Sequence, residues 1–373
     1  MIDSKDFYYF LKNHKIDSFV GVPDSLLKHF CAFVNDKIDE DKHIITANEG
    51  SSIALASGLY FGSGNASAVY MQNSGLGNTI NPLLSLADRE VYSVPMLLLI
   101  GWRGEPEISD EPQHVKQGKV TEKLLNSIDL PYIIINANSN YQEKLSDLIS
   151  LMKSESRPVA VLFKKNTFLP YSPKKNSSQN LEMNREDAIK IIVDNIPLES
   201  FVISTTGMTS RELYEYRESK SQMHDNDFLT VGSMGHASMI ALGISLENPK
   251  KKIVCIDGDG SVLMHMGNLA LTGQSNGLNF THIMINNGAH DSVGGQPTLA
   301  FKVDIPSIAT YCGYKNTFTT DSKKELKEIL STIKEKSFIE IKVNKGHRNN
   351  LGRPKSSPIK NRDDFMNKIF NNE

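Results

Sequence analysis

The sequence predicts an α/β protein of two doubly wound domains, each built on a mainly parallel sheet. Three observations lead there. Short apolar runs alternate with helical stretches along the chain, the pattern of strand–helix–strand repeats. The 373 residues suit two domains, each with a sizeable core. A stretch rich in linker residues, Leu169-Pro170-Tyr171-Ser172-Pro173-Lys174-Lys175-Asn176-Ser177-Ser178, separates the halves.

In chain order, the strand-like runs of the first half are 18–22, 43–48, 67–72, 95–100, 132–136 and 158–163, in a domain covering 1–172. Residues 173–183 form the linker. A helical pattern resumes at Asn184-Arg185-Glu186-Asp187, with Ala188, Ile191, Ile192 and Ile196 on one face. The second domain, 184–352, carries runs at 201–205, 228–232, 252–256, 281–286 and 337–343. Residues 353–373 read as a mostly exposed tail.

A net charge of −2, with 39% hydrophobic and 23% charged residues, is ordinary for a soluble enzyme. It points to neither nucleic acid nor a membrane surface. The longest apolar run, near Val94 to Trp102, falls short of the roughly 20 residues that span a bilayer. Asp3, Lys5 and Asp6 stand where a signal peptide needs an apolar stretch. Cys31, Cys255 and Cys312 form neither a disulfide framework nor a metal-ligand spacing, so a reducing, cytoplasmic location is expected.

The chemistry concentrates in three motifs. The strand-like run Lys252–Ile256 leads into Asp257-Gly258-Asp259-Gly260-Ser261, and His282–Ile285 leads into Asn286-Asn287. Glycines at the end of a strand let the backbone approach a ligand closely. Asp and Asn oxygens are hard ligands of the kind Mg²⁺ takes beside diphosphate oxygens. The intervening stretch is long enough for one helix, so the motif predicts a βαβ unit with a diphosphate–metal site at its mouth. Alone, Gly-Asp-Gly also serves as an ordinary acidic turn.

The second motif is Ile44-Ile45-Thr46-Ala47-Asn48-Glu49-Gly50, followed by the small residues Ser51 to Gly58. A strand ending in a carboxylate, with a tightly packing helix behind it, places Glu49 where hydration is poor. A carboxylate interacting with the helix macrodipole is the alternative. The third motif is Val231-Gly232-Ser233-Met234-Gly235-His236-Ala237.

Together these motifs resemble the cofactor site of thiamine diphosphate (ThDP) enzymes. The resemblance covers nearly all of the chain. It implies the ThDP-binding fold, with a pyrimidine-binding domain (1–172) before a diphosphate-binding domain (184–352). It implies that Glu49 bonds N1′ of the aminopyrimidine and favours the tautomer that removes the C2 proton. The Gly232 carbonyl would accept the 4′-amino group, and Met234 would wedge the two rings into a V. Asn73, Ser233, Gly258, Gly260 and Ser261 would also contact the cofactor. Asp259, Asn287 and Ala289 would hold Mg²⁺, with Asn287 preferred over Asn286 by family match. Because such enzymes bring the Glu of one subunit to the Gly-Asp-Gly site of another, a homodimer or tetramer is expected.

Val22-Pro23-Asp24-Ser25, Gln72-Asn73-Ser74-Gly75-Leu76-Gly77-Asn78 and Asn286-Asn287-Gly288-Ala289-His290 resemble the phosphonopyruvate and sulfopyruvate decarboxylases. Ser292-Val293-Gly294-Gly295-Gln296-Pro297-Thr298 and Arg348-Asn349-Asn350-Leu351-Gly352-Arg353-Pro354 point toward the phosphono branch. A small-molecule 2-keto acid carrying a second anionic group is then the implied substrate. Its phosphonate calls for arginine, whose fork matches two oxygens at once. Arg103, Arg348 and Arg353 are the candidates, the last two leading because Gly352 and Pro354 shape their loop.

After carbon dioxide leaves, a carbon must be protonated. Asp24, His114, Gln117 and His290 are the polar candidates. In pyruvate decarboxylase an Asp follows the Val-Pro pair by two positions, whereas Asp24 follows it by one, so Asp24 either relays protons or orients the substrate. Other readings are a sulfopyruvate or pyruvate decarboxylase, a ThDP carboligase, and a non-catalytic diphosphate-binding module.

Overall fold

The computed structural model describes residues 1–173, 180–276, 279–333 and 335–371. They fall into two compact units, Met1–Asn176 and Ser177–Glu373. The expected linker, 173–183, lies mostly in 174–179, outside the described residues.

The first unit carries six parallel strands: β1 (Phe19–Gly21), β2 (His43–Ile45), β3 (Ser67–Gln72), β4 (Met96–Gly101), β5 (Tyr132–Ile135) and β6 (Pro158–Phe163). Their order across the sheet is β2-β1-β3-β4-β6-β5. Every residue of β4 is buried, as expected of a strand covered on both faces. Alternation along it then divides two cores. Leu97 and Leu99 face one cluster with Phe7, Phe19, Phe30 and Phe163. Leu98 and Ile100 face the other, with Val20, Ile53, Val69 and Leu162.

The second unit contains β7 (Phe201–Ser204), β8 (Asp227–Leu229), β9 (Ile253–Gly258), β10 (Phe280–Asn286), a two-residue hairpin of β11 (Ala289–His290) and β12 (Gln296–Pro297), β13 (Asn316–Thr320) and β14 (Ser337–Lys342). Its main sheet is parallel, in the order β13-β14-β10-β9-β7-β8. The helix Arg185–Asn195 starts on a capping box between Asn184 and Asp187. The strand order switches sides between β1 and β3 in the first sheet and between β7 and β9 in the second. At such a switch point the carboxyl ends of neighbouring strands open a crevice. Asp24 and Asn73 follow β1 and β3, and Thr205 and Asp259 follow β7 and β9.

The structure adds to or departs from the sequence reading at three points. Strand β13 is missing from the sequence reading because Asn-Thr-Phe-Thr-Thr is a partly exposed edge strand without an apolar run. The β9–β10 connection holds two short helices, Asp259–Met264 and Asn268–Gln274, rather than one. The mostly exposed tail carries an element the sequence did not indicate, a helix, Pro358–Asn371, that docks on the sheet through Asn361, Phe365 and Ile369. Phe365 packs edge-on against Phe201 and Phe228, at centroid distances of 5.4 and 5.7 Å. Asn361 accepts from Leu229 N (2.9 Å) and donates to Asp227 O (2.8 Å), which satisfies the open edge of β8. Proline, serine and charge around residues 353–364 hide these contacts in the sequence. Among the described residues, no helix is long and apolar enough to cross a membrane.

Phe365→Ala should therefore lower the unfolding free energy by about 3–5 kcal/mol, the usual cost of truncating a buried phenylalanine. Urea unfolding measures this; a truly exposed tail would show almost no change.

Candidate active site

In the second unit, β9 delivers Gly258 and Asp259 to the switch point, and Asp259 starts the following helix. Its carboxylate is 3% exposed. Thr298 Oγ1 donates to Oδ2, and the backbone N–H groups of Asp259, Gly260 and Asn287 also point at it. Burial nevertheless pushes the carboxyl up to about 7. A divalent cation would supply the missing counter-charge, so the donor set fits one.

A Cβ on Gly260 would lie 2.9 Å from the His290 ring and 3.3 Å from the Met234 methyl. Only glycine lets these three groups converge. Ser261 Oγ accepts from Gly235 N at 2.8 Å and shares a 3.0 Å bond with Thr205 Oγ1 at the end of β7. The 231–236 turn is thereby tied to the Gly-Asp-Gly helix. Within it, Gly232, Ser233 and Gly235 have φ of 72°, 46° and 85°. A serine held in the left-handed region costs energy, and such cost recurs at ligand sites. The structure thus gathers Gly232, Ser233, Met234, Gly258, Asp259, Gly260, Ser261, Asn287, Ala289 and His290 at one sheet edge.

The two asparagines diverge. Asn286 spends its side chain on neighbouring backbone and strand, donating to Glu340 Oε1 (2.6 Å) and accepting from Gly288 N (3.0 Å). Asn287 donates from Nδ2 to Asp291 (2.7 Å), accepts at Oδ1 from Ala289 N (3.0 Å), and reaches Asp259 through its backbone. Burial pushes the His290 imidazole down to about 4.

In the first unit, Glu49 opens the helix Glu49–Ser63 behind the N-cap Asn48, which accepts from Ser51 N. Glu49 is 6% exposed, and Oε2 accepts from Asn78 Nδ2 at 2.8 Å. A Cβ on Gly75 would lie 2.4 Å from Oε1, so the carboxylate rests against bare backbone. Asn78 and Gly75 both lie within the Gln72–Asn78 motif; their direct contact with Glu49 is an added finding.

Asp24 is fully buried between the ends of β1 and β3. Oδ2 accepts from Leu26 N and Leu27 N (2.9 and 3.1 Å), and Oδ1 accepts from Gln72 Nε2 (2.9 Å). Burial raises its pKa against these bonds. Asn73 clamps the next loop, donating to Arg103 O (2.8 Å) and Thr121 Oγ1 (2.9 Å) and accepting from Arg103 N (3.1 Å). With both ends of its amide engaged, Asn73 serves the Arg103 loop, a role the sequence reading did not include. Arg103 forms a two-pronged pair with Asp110 and donates to Ser25 Oγ at 2.9 Å. A cleft of about 430 Å³ opens there, lined by Ser25, Lys28, His29, Trp102, Arg103 and Lys165 among others.

His114 lies in the first turn of the helix Pro112–Ser127, where burial and then Arg103 push it down to about 4. Among the described residues, Gln113 Oε1, His114 Nδ1 and Gln117 Oε1 are buried without partners. Three unmatched polar atoms on neighbouring positions suit a surface that receives a polar ligand.

Of the two arginines expected to hold the phosphonate, Arg348 already has carboxylate partners. Arg348 bonds Glu186 Oε2 at 3.0 Å and pairs with Glu215, so two carboxylates already neutralise it. Gly352 N donates to the other oxygen of Glu215, fastening this loop to the helix Met208–Ser219. Arg353 is exposed beside it. The loop geometry that favoured them in the sequence is real, but the acids that occupy Arg348 lie on distant helices.

Residues 4–125 match the family described as thiamine pyrophosphate enzyme, N-terminal TPP binding domain, and residues 203–341 match its C-terminal TPP binding domain. The chain belongs to the thiamine pyrophosphate enzymes. Thiamine diphosphate is the cofactor, and the expected fold holds. The chain is 31% identical over 379 residues to the phosphonopyruvate decarboxylase of Streptomyces viridochromogenes, covering 96% of this chain and 92% of that one. The enzyme of the same name from Streptomyces hygroscopicus matches with the same identity and coverage. The sulfopyruvate decarboxylase of Methanosarcina acetivorans is 28% identical over 365 residues, covering 91% of this chain and 90% of that one.

Two outcomes follow from this geometry. Glu49→Gln should still bind ThDP but lose about 10²- to 10⁴-fold in C2 proton exchange, the usual weight of one acid–base group. Hydrogen–deuterium exchange followed by NMR reads it, and an unchanged rate would remove Glu49 from the chemistry. For His114, the ordinary value is 6.5 and the folded value about 4. Between these the unfolded chain binds the extra proton, so His114 lowers stability as pH falls through that window. His114→Gln should lose less stability than the parent protein between roughly pH 7 and pH 4.5, measured by urea unfolding at each pH.

Proposed function

We propose that this chain is a ThDP- and Mg²⁺-dependent decarboxylase that converts 3-phosphonopyruvate to phosphonoacetaldehyde and carbon dioxide in phosphonate biosynthesis. The observation that carries this reading is the 31% identity, over 96% of the chain, to phosphonopyruvate decarboxylases. The 28% match to a sulfopyruvate decarboxylase supports sulfopyruvate as the second reading.

Bound ThDP supplies the electron sink for loss of carbon dioxide. The protein's part is to bind, orient and handle protons. Glu49, desolvated and oriented by Asn78, is the carboxylate for the aminopyrimidine. The Gly232 carbonyl and Met234 would lie against the cofactor's rings. Asp259, Asn287 and Ala289 would hold the cation, with Gly258, Gly260, Ser261 and Ser233 near the diphosphate. Asp24 has both oxygens fixed by Leu26, Leu27 and Gln72, which suits an orienting group better than a mobile relay. His114 and His290, pushed down to about 4, are neutral at pH 7 and suit hydrogen bonding to the substrate. Gln117 offers an adjacent amide.

For the substrate's second anion, Arg103 is the first candidate because it lines the first-unit cleft beside Ser25; like Arg348, it is already paired with a carboxylate, Asp110. Because Ser25 Oγ accepts from Arg103, its own proton is free to point at an anion. The active form is a homo-oligomer, and three cysteines without a disulfide support a cytoplasmic setting.

A substrate panel with ThDP and Mg²⁺ tests this function. Phosphonopyruvate should be turned over in preference to sulfopyruvate and pyruvate, with free aldehyde as product. Preference for sulfopyruvate would transfer the assignment, and an acyloin product would identify a carboligase. Arg103→Lys should cost phosphonopyruvate about tenfold or more relative to pyruvate, since a point charge cannot replace the fork. An equal loss on both would limit Arg103 to holding its loop.

A further inference from the structure

We propose that Asp291 and Arg185 are positioning residues for the cation site, fixing which end of the Asn287 amide faces it. This rests on the reading of Asp259 and Asn287 as cation ligands. An asparagine amide has a donor end and an acceptor end, and only its oxygen can ligate a cation. Two partners determine the orientation here. Asn287 Nδ2 donates to Asp291 Oδ2 at 2.7 Å, and Oδ1 accepts from Ala289 N at 3.0 Å. A flipped amide would set its oxygen against a carboxylate and its NH₂ against a backbone N–H. Both contacts would then repel. In the observed orientation Oδ1 keeps a second lone pair for a ligand.

Asp291 is itself immobilised. Its Oδ2 also accepts from Arg185 Nη1 and Gly346 N, both at 3.0 Å. Arg185 is gripped in turn by Glu212, through Nε–Oε2 at 2.8 Å and Nη2–Oε1 at 3.0 Å. Arg185 and Glu212 are 6% and 2% exposed, and the Asp291 side chain is 7% exposed. The network joins two helices and the segment after β11: residue 185 opens one helix, 212 sits on Met208–Ser219, and 291 follows the hairpin strand β11. Two carboxylates against one guanidinium also leave one net negative charge behind the ligand, which favours a cation in front of it. Burying such ions is seldom worthwhile for stability alone, since desolvation offsets their attraction. Partners that orient a metal ligand from behind commonly govern affinity.

The test uses the full chain with ThDP and Mn²⁺ as a paramagnetic probe, titrated by electron paramagnetic resonance. Asp291→Asn removes the acceptor-only group and its charge. Its Mn²⁺ dissociation constant should rise about 10- to 100-fold, the usual effect of losing such a partner. ThDP retention during dialysis should fall at low Mg²⁺ and recover when Mg²⁺ is raised. Arg185→Lys keeps the charge but loses the fork, and should shift the constant in the same direction by less; it carries the test if Asp291→Asn fails to fold. A folded Asp291→Asn protein that binds Mn²⁺ within about twofold of the parent would overturn the proposal. So would a ThDP loss that raised Mg²⁺ cannot restore, because that marks a purely structural role. If the parent protein itself binds no Mn²⁺ with ThDP, the reading of Asp259 and Asn287 as ligands falls as well.

Discussion

A carboxylate at the carboxyl edge of a parallel sheet, cut off from water, governs the architecture of the second unit. Asp259 is buried deeply enough that burial lifts its pKa to about 7 despite four donors directed at it. A side chain so placed needs compensation from every direction, and each neighbouring element provides some. The parallel register brings β9 and β10 to a common edge, so Asn287 follows directly beside Asp259. The switch in strand order between β7 and β9 opens space there, and Thr205 binds Ser261 across it. The hairpin and the segment after it return Thr298 to the carboxylate. What remains unmet is charge, and a cation with diphosphate oxygens is the chemistry that meets it.

The first unit solves a different problem with the same topology. Glu49 receives one side-chain amide, from Asn78, and otherwise meets close-packed backbone at Gly75. Elsewhere in the unit, Asp24, Gln72, Asn73, Arg103 and Asp110 form a chain of bonds linking the ends of β1, β3 and β4. Burial disfavours ionised Asp110, but Arg103 and the amides of Glu111 and Gly104 outweigh it and hold the carboxyl well below its ordinary range. Asp110 therefore stays charged and keeps Arg103 extended in the cleft. Each unit fixes its polar groups through bonds of its own. Such preorganisation lets side chains act without reorganising when charge develops.

How much of this was legible in the sequence depends on the range of the interaction concerned. The strand-like runs are short segments rich in apolar residues, such as Leu97 to Ile100, and local pattern alone identifies them. The motifs at 257–261, 286–287 and 231–237 are also local, because a strand end and its turn are contiguous in the chain. β13 escaped because this partly exposed edge strand, Asn-Thr-Phe-Thr-Thr, has no apolar run. The docked helix Pro358–Asn371 escaped because its anchors, Asn361 and Phe365, are separated by charged residues that face outward. The partners of Arg348 were hidden for a related reason. Its loop is local, whereas Glu186 and Glu215 lie more than 130 positions away in the chain.

The same reasoning explains why Arg185 carried no signal at all. In sequence it is the first residue of an amphipathic helix, where an exposed charge is the ordinary expectation. Only the fold reveals that it turns inward, between Glu212 on one helix and Asp291 beyond β11. The Glu212–Arg185–Asp291 triad as a whole would be replaceable by apolar residues if packing were its sole purpose, and often at no loss of stability. The Arg185 fork instead transmits order from two helices to a single carboxylate, and that carboxylate to a single amide. Each link accepts only one orientation of the next, because a guanidinium only donates and a carboxylate only accepts. Directionality of this kind cannot be built from apolar contacts, and it is the physical reason to find a buried ion pair behind Asn287.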